Sequence, residues 1–173
     1  MRAILARADI TKLLSDTLVS YKLLGKYWAD EVTINLGTPE ECRVDFLEFK
    51  PCNQSTAGIE RGVFTGYEIK SCVADFRSKN GHNLFFDKNY YVMTMETYKA
   101  VGKELSYNQG AYVLVPMLAN PLDEFESPAE LSLDTDWTLH CIKPCHKYQW
   151  RQHSTASLLF MMFRSGATRL IGE

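Results

Sequence analysis

The sequence predicts an α/β fold, a mixed central sheet flanked by helices, with a C-terminal strand–helix extension. Three observations predict it. An amphipathic helix precedes three strand-like segments with short connections, later segments alternate strand and helix, and 46% hydrophobic with 23% charged residues is an ordinary globular composition. The 173 residues suffice for one domain with a real core and are few for two. The expected unit is therefore 1–173, with a core over about 9–116 and an extension over about 117–173.

Residues 9–24 carry Ile10, Leu13, Leu14, Thr17, Leu18, Tyr21 and Leu24 at three- and four-residue spacing. That is the period of a helix, with Asp9 as the expected cap and Gly25 as the stop. Residues 28–36, 43–49 and 63–70 read as three strands in a meander, with 50–62 as a loop rich in Pro, Asn, Ser and Gly. A short helix is expected over 73–77, then a polar stretch at 78–83. Strand 89–95, helix 96–105 and strand 111–115 follow. This β-α-β rhythm implies that the later strands run parallel. Residues 119–136, acidic and containing Pro121 and Pro128, read as a surface loop. An edge strand over 137–142 and a helix over 154–164 complete the chain.

Five cysteines are an odd number in a chain whose size does not force it to rely on disulfides, so reduced thiols are expected. The formal net charge of −2 is not that of a protein held to nucleic acid by nonspecific phosphate attraction, and it says little about an enzyme whose metal ions meet the phosphate. No stretch is long and apolar enough to cross a membrane, and residues 1–7 have no sustained apolar core or cleavage site. The expected setting is cytoplasmic, with no membrane partner.

The chemistry concentrates on two strands. Residues two apart on a strand share a face, so Glu68 and Lys70 project together while Ile69 points the other way. An acid beside an ammonium on a central strand is costly unless paired or used. Asp45, between Val44 and Phe46, is equally out of place as a solubilising residue. If the two strands pair, Asp45 and Glu68 converge on a hard divalent cation, with the Ile69 carbonyl as a further ligand. Lys70 would orient a water there and offset transition-state charge. The competing reading is a structural ion-pair network on a half-exposed sheet.

Asp45 followed about two dozen residues later by Glu68-x-Lys70 resembles the PD-(D/E)XK nuclease signature. The order of first helix, Asp-bearing strand, Glu-x-Lys strand and following helix resembles that superfamily's core. Tyr67-Glu68-Ile69-Lys70-Ser71, with Asp75-Phe76 downstream and the aromatic strand Asn89-Tyr90-Tyr91-Val92, looks most like small MmcB-like DNA-repair and phage-type nuclease domains. The resemblance implies a restriction-endonuclease-like core (αβββαβ), Mg2+ or Mn2+ as cofactor, DNA as partner and phosphodiester hydrolysis as the reaction. Its setting would be DNA repair, recombination, restriction or mobile-element metabolism. It also implies a further metal-binding acid, for which Glu31 stands in the matching place, with a plain surface carboxylate at a strand edge as the rival reading. Two departures accompany it. Val44 replaces the motif's proline, and the glutamine that many members carry on the next helix is missing, Asn80, His82 and Asn83 being the nearest polar candidates. A catalytically inactive nuclease-fold module that grips DNA or a protein partner, such as an inhibitor of a host or phage nucleic-acid system, is the alternative.

Other residues carry weaker expectations. Lys143, Lys147 and Arg151, with Arg164 and Arg169, form the most basic region and are candidates for the phosphate backbone, with a plain solvated face as the rival reading. Asp75 reads as a turn or helix-start residue, His82 as a loop-tip histidine, and Tyr90 and Tyr91 as core residues rather than a base-stacking platform. Cys141, Cys145 and His146, with His140 and His153, fit a zinc site only loosely. The run 158–163, apolar almost all round, is expected to be buried or to pair with another subunit as a homodimer or with a protein partner.

Overall fold

A computed structural model describes residues 5–83, 85–145 and 151–171, with side chains of the last helix described as far as residue 166. The first helix, α1 (Arg7–Leu18), begins two residues earlier than its periodicity suggests. Asp9 is not its cap. It lies in the first turn, and its carboxylate accepts the Ala6 N–H at 3.3 Å. The chain then widens into a π-helical turn over Val19–Leu23 before Gly25, at φ +73°, ends it. The wider turn changes which residues face inward. After Leu14 and Leu18 the next buried side chain is Leu23, five residues on, while Tyr21 and Leu24 are exposed.

Strands β1 (Tyr27–Ile34), β2 (Cys42–Lys50) and β3 (Val63–Lys70) form the expected antiparallel meander. Strands β4 (Lys88–Met93) and β5 (Gly110–Pro116) continue it in parallel, and β6 (Trp137–Lys143) closes it as an antiparallel edge. The result is one mixed six-stranded open sheet in the order β1-β2-β3-β4-β5-β6, flanked by helices. Between β3 and β4 lies α3 (Val73–Phe76), and between β4 and β5 lies α4 (Met95–Val101), capped by the Thr94 hydroxyl accepting the Thr97 N–H.

Two connections expected to be bare loops each hold a short helix. Residues 50–62 contain α2 (Thr56–Glu60), whose cap is Ser55 Oγ accepting the Gly58 N–H at 3.0 Å. Residues 119–136 contain α5 (Pro121–Glu126), with Asn120 as the cap and Pro121 in its first turn, a placement that favours helix initiation. The last helix, α6 (Thr155–Ile171), packs along β1. Its apolar run is only half buried: Leu158 and Met162 enter the core, whereas Phe160 and Phe163 are exposed.

Two faces of the sheet are covered differently. On one, Leu14, Leu18 and Leu23 pack on Phe46, Tyr67, Ile69, Tyr90, Val92 and Leu114. Each fully buried leucine contributes roughly 1.5–3 kcal/mol of transfer free energy. On the other, Leu47, Phe49, Phe64 and Phe86 meet Leu158 and Met162 of α6, and Tyr91, Met93 and Val113 meet α3 and α4. Among the described residues, no helix is long and apolar enough to cross a membrane, and no cysteine is in a disulfide.

Candidate active site

The site lies where β2 and β3 part. Their ladder runs from Lys50↔Val63 to Phe46↔Tyr67, and one further step of that register sets Asp45 opposite Glu68. The rung there is made by a side chain instead of backbone: Asp45 Oδ2 accepts the Ile69 N–H at 2.7 Å. β1 changes at the same point. Glu31, flanked by the pairs Asp30↔Phe46 and Val32↔Val44, has φ +52°, a left-handed conformation uncommon for a residue with a side chain. Ala29 and Val32, like Leu47 and Val44 across from them, reach one core cluster despite a three-residue separation, so the strict alternation slips in both strands around Glu31 and Asp45.

Glu68 and Lys70 point to the same side of β3 and are almost wholly buried, at 4% and 3% exposure. They are covered by the segment between α3 and β4. Lys70 Nζ donates to the Asn80 carbonyl at 2.8 Å, and Asn83 Nδ2 donates both to Glu68 Oε1 at 3.0 Å and to the Arg43 carbonyl at 2.8 Å. Gly81, at φ +68°, lies so close that a Cβ there would come within 2.5 Å of Lys70 Nζ and 2.9 Å of Glu68 Oε2. The far end of the segment is anchored by Phe86, which packs on Gly66, and by Asp87, whose carboxylate accepts the Phe64 N–H at 2.8 Å.

This setting raises both carboxyl pKa values. For Glu68, burial and then repulsion from Asp45 push it up to about 8, against the hydrogen bond from Asn83 and the attraction of Lys70. For Asp45, burial raises it first, the Ile69 N–H lowers it, Glu31 raises it, and Lys70 and Arg43 lower it. Two carboxylates that close favour holding one proton between them unless a cation joins them.

The remaining candidates fall in varied places. Glu31 is directed to Arg43, 2.6 Å away, and is half exposed; its charge is felt at Asp45. Lys143 Nζ donates to the Gln109 carbonyl at 2.7 Å and to the Ser106 carbonyl, tying β6 to the turn before β5. Arg151 pairs with Asp87 at 3.2 Å, donates to the Gly62 carbonyl and lies over the Phe64 ring. Both cations are therefore engaged in holding the fold. Lys147 and His146 lie outside the described residues, as does the Arg169 side chain. Cys145 is buried with its thiol on the Asn108 carbonyl, and Cys141 is exposed. Asp75 accepts from the Ser71 N–H and hydroxyl and pairs with Arg7 at 2.7 Å, a turn-stabilising role.

His82 is more than a loop tip. Its Nε2 faces the Ser78 carbonyl at 2.9 Å and so carries the proton, which leaves Nδ1 to accept from the Tyr91 hydroxyl at 2.7 Å. Tyr91 is the register partner of Glu68. Asn83, beside Glu68, is a partner that the sequence signals only through the polar run Asn80-Gly81-His82-Asn83.

Among the described residues, no three His, Cys, Asp or Glu side chains are grouped to hold a metal ion. Two clefts, of about 710 and 530 Å3, are lined by other residues. The two acids that face each other, Asp45 on β2 and Glu68 on β3, offer hard carboxylate oxygens, and repulsion between such groups is the kind a divalent cation relieves. Carboxylate oxygens of this kind are the donors that Mg2+ and Mn2+ prefer. Comparison of the chain with protein-family models, with curated proteins and with solved structures gave no match.

Proposed function

We propose that the chain is a divalent-cation-dependent endodeoxyribonuclease of the PD-(D/E)XK type, cutting phosphodiester bonds in DNA. In this reading, α1, the meander β1-β2-β3, α3 and β4 correspond to the restriction-endonuclease-like core. One observation carries the proposal: Asp45 leaves the β2–β3 ladder, takes the Ile69 N–H with its carboxylate and faces Glu68, with Lys70 buried on the same face as Glu68. A stable sheet has no need of two repelling acids and a lysine at a strand divergence.

Asp45, Glu68 and the Ile69 carbonyl would hold the cation. When bound it polarises the scissile phosphate and lowers the pKa of a water. Glu68 must first release the proton that its raised pKa retains. Lys70 presents its ammonium to the developing charge, and Asn83 fixes the orientation of Glu68. Asn80 aims Lys70 through its carbonyl.

A second reading, a nuclease-fold module that binds without cutting, is favoured by the cover over the site. Gly81 presses on Lys70 and Glu68, and Lys143 and Arg151 are engaged internally. Cleavage of supercoiled plasmid and of branched DNA with Mg2+ or Mn2+, wild type against Asp45→Ala, separates the two. Wild-type cutting that Asp45→Ala abolishes supports the enzyme. DNA binding without cutting in either metal sinks it and leaves the module.

A further inference from the structure

The opposite face of the sheet carries a second cleft, of about 530 Å3, which is within the ~300–1,000 Å3 typical of small-ligand sites. Its wall is built from alternate residues of neighbouring strands. Glu48, Thr65 and Lys88 are successive register partners on β2, β3 and β4, and Tyr67 and Tyr90 form the next row. Tyr112 of β5 completes an aromatic trio, with its ring 4.8 Å from that of Tyr90 and 6.2 Å from that of Tyr67. Gly110 makes room for this packing, since a Cβ there would meet the Tyr90 ring at 2.2 Å. Lys22 and Lys26, from the π turn and the loop after it, reach in from the side.

The charge is lopsided. Among the described residues, Lys22, Lys26, Lys50 and Lys88 line the cleft against one acid, Glu48, in a chain whose overall charge is −2. That acid is already matched: Glu48 Oε2 accepts the Tyr67 hydroxyl at 2.6 Å, and Oε1 faces Lys26 Nζ at 3.2 Å. Lys22 stands over the Tyr112 ring at 4.9 Å. The partly exposed Tyr112 and the exposed Tyr27 add ring surface at the same cleft. Ammonium groups beside tyrosine rings recognise a ligand that joins a phosphate to a planar ring.

We infer that this cleft binds a nucleotide unit, its phosphate on Lys22 and Lys88 and its base on Tyr112, at a site separate from Asp45 and Glu68. A free nucleoside monophosphate and the 5′-phosphorylated end of a strand share that chemistry. The inference stands on its own observations and does not require that the chain cut DNA.

The test is calorimetric titration of the full chain with dAMP, ribose 5-phosphate, inorganic phosphate, and an oligo-dT with and without a 5′ phosphate. dAMP is expected to bind at least tenfold tighter than ribose 5-phosphate or inorganic phosphate. The double variant Lys22→Ala/Lys88→Ala is expected to weaken it at least tenfold and Tyr112→Leu several-fold. Asp45→Ala, on the other face, should leave it unchanged, so failure of the nuclease reading and failure of this one are told apart. A phosphorylated oligo-dT tighter than dAMP assigns the ligand to a strand end, the reverse order to a free nucleotide, and either supports the site. Circular dichroism checks that the variants fold, and Tyr112→Leu keeps the apolar bulk if the lysine pair perturbs it. Absence of saturable binding by every probe, equal affinity for phosphate and dAMP, or indifference to the lysine pair in a folded variant overturns the inference.

Discussion

Asp45 Oδ2 accepts the Ile69 N–H at 2.7 Å, so a side chain stands where the β2–β3 ladder would have its next backbone rung. The bond holds the carboxylate against Glu68 and carries a conflict, because burial raises the pKa of both acids and the Asp45 charge raises that of Glu68 further. Replacing Asp45 by Asn separates the two effects. An amide oxygen still accepts the N–H, while the like charge is gone. Asp45→Asn is expected to stabilise the metal-free protein by on the order of 1 kcal/mol and to lower DNA cleavage by about 100-fold or more. Thermal melts and plasmid nicking read both effects; a destabilised variant that still cuts would contradict the assignment.

The pH dependence follows from Glu68. Its carboxyl titrates near 4.5 when exposed and is pushed up to about 8 in the fold, chiefly by burial and then by Asp45. Between those values the native state keeps a proton that the unfolded chain releases. Stability from this group is therefore full below the unfolded value and is lost as pH rises toward 8. The metal-free protein should melt at progressively lower temperature from pH 5 to pH 8, by about 2–4 °C per kcal/mol. Mn2+ should oppose the loss more strongly at higher pH, because binding displaces that proton. Glu68→Gln should flatten both trends. Identical slopes for wild type and Glu68→Gln would remove Glu68 from the account.

Strand periodicity and turn residues made the sheet readable from the sequence: β1, β2 and β3 and the parallel pair that follows lie where alternation put them. The facing of Asp45 and Glu68 was legible for the same reason, since neighbouring strands of a meander bring their mid-strand residues together. What the sequence hid depends on backbone conformation. The π turn after Leu18 exchanges Leu23 for Tyr21 and Leu24 in the core, and a 3.6-residue period has no way to register it. The helix α5 starts at a proline, which reads equally as a loop marker. The cover over Lys70 depends on Gly81 at positive φ and on Asn80 offering a carbonyl, neither of which is a side-chain signal.

Gly81 offers a test that touches no proposed ligand. A methyl there meets Lys70 Nζ and Glu68 Oε2 and also carries the strain of φ +68°. Gly25 supplies the control, for it has φ +73° and no atom within 4 Å of the added carbon. Gly25→Ala should cost about 1 kcal/mol from backbone strain alone. Gly81→Ala should cost more and should also weaken Mn2+ binding. Equal melting temperatures and equal Mn2+ affinities for the two variants would show that the cover does not bear on the acids.

In the proposed reaction, Lys70 divides catalysis from ligation. The residue is 3% exposed, its ammonium is hydrogen-bonded to the Asn80 carbonyl at 2.8 Å, and its charge lowers the pKa of both acids. Lys70→Ala removes a positive charge next to the proposed cation site, so Mn2+ should bind as well as in wild type or better. The Asn80 carbonyl loses its donor, at a cost of about 1–3 kcal/mol. Cleavage, by contrast, should fall by two orders of magnitude or more, because the ammonium proposed to meet the charge developing on the phosphate is gone. Calorimetry with Mn2+ alongside a cleavage assay gives the split. Loss of Mn2+ binding together with activity, in a variant that still melts cooperatively, would make Lys70 a structural partner of the two acids, with no role in the reaction.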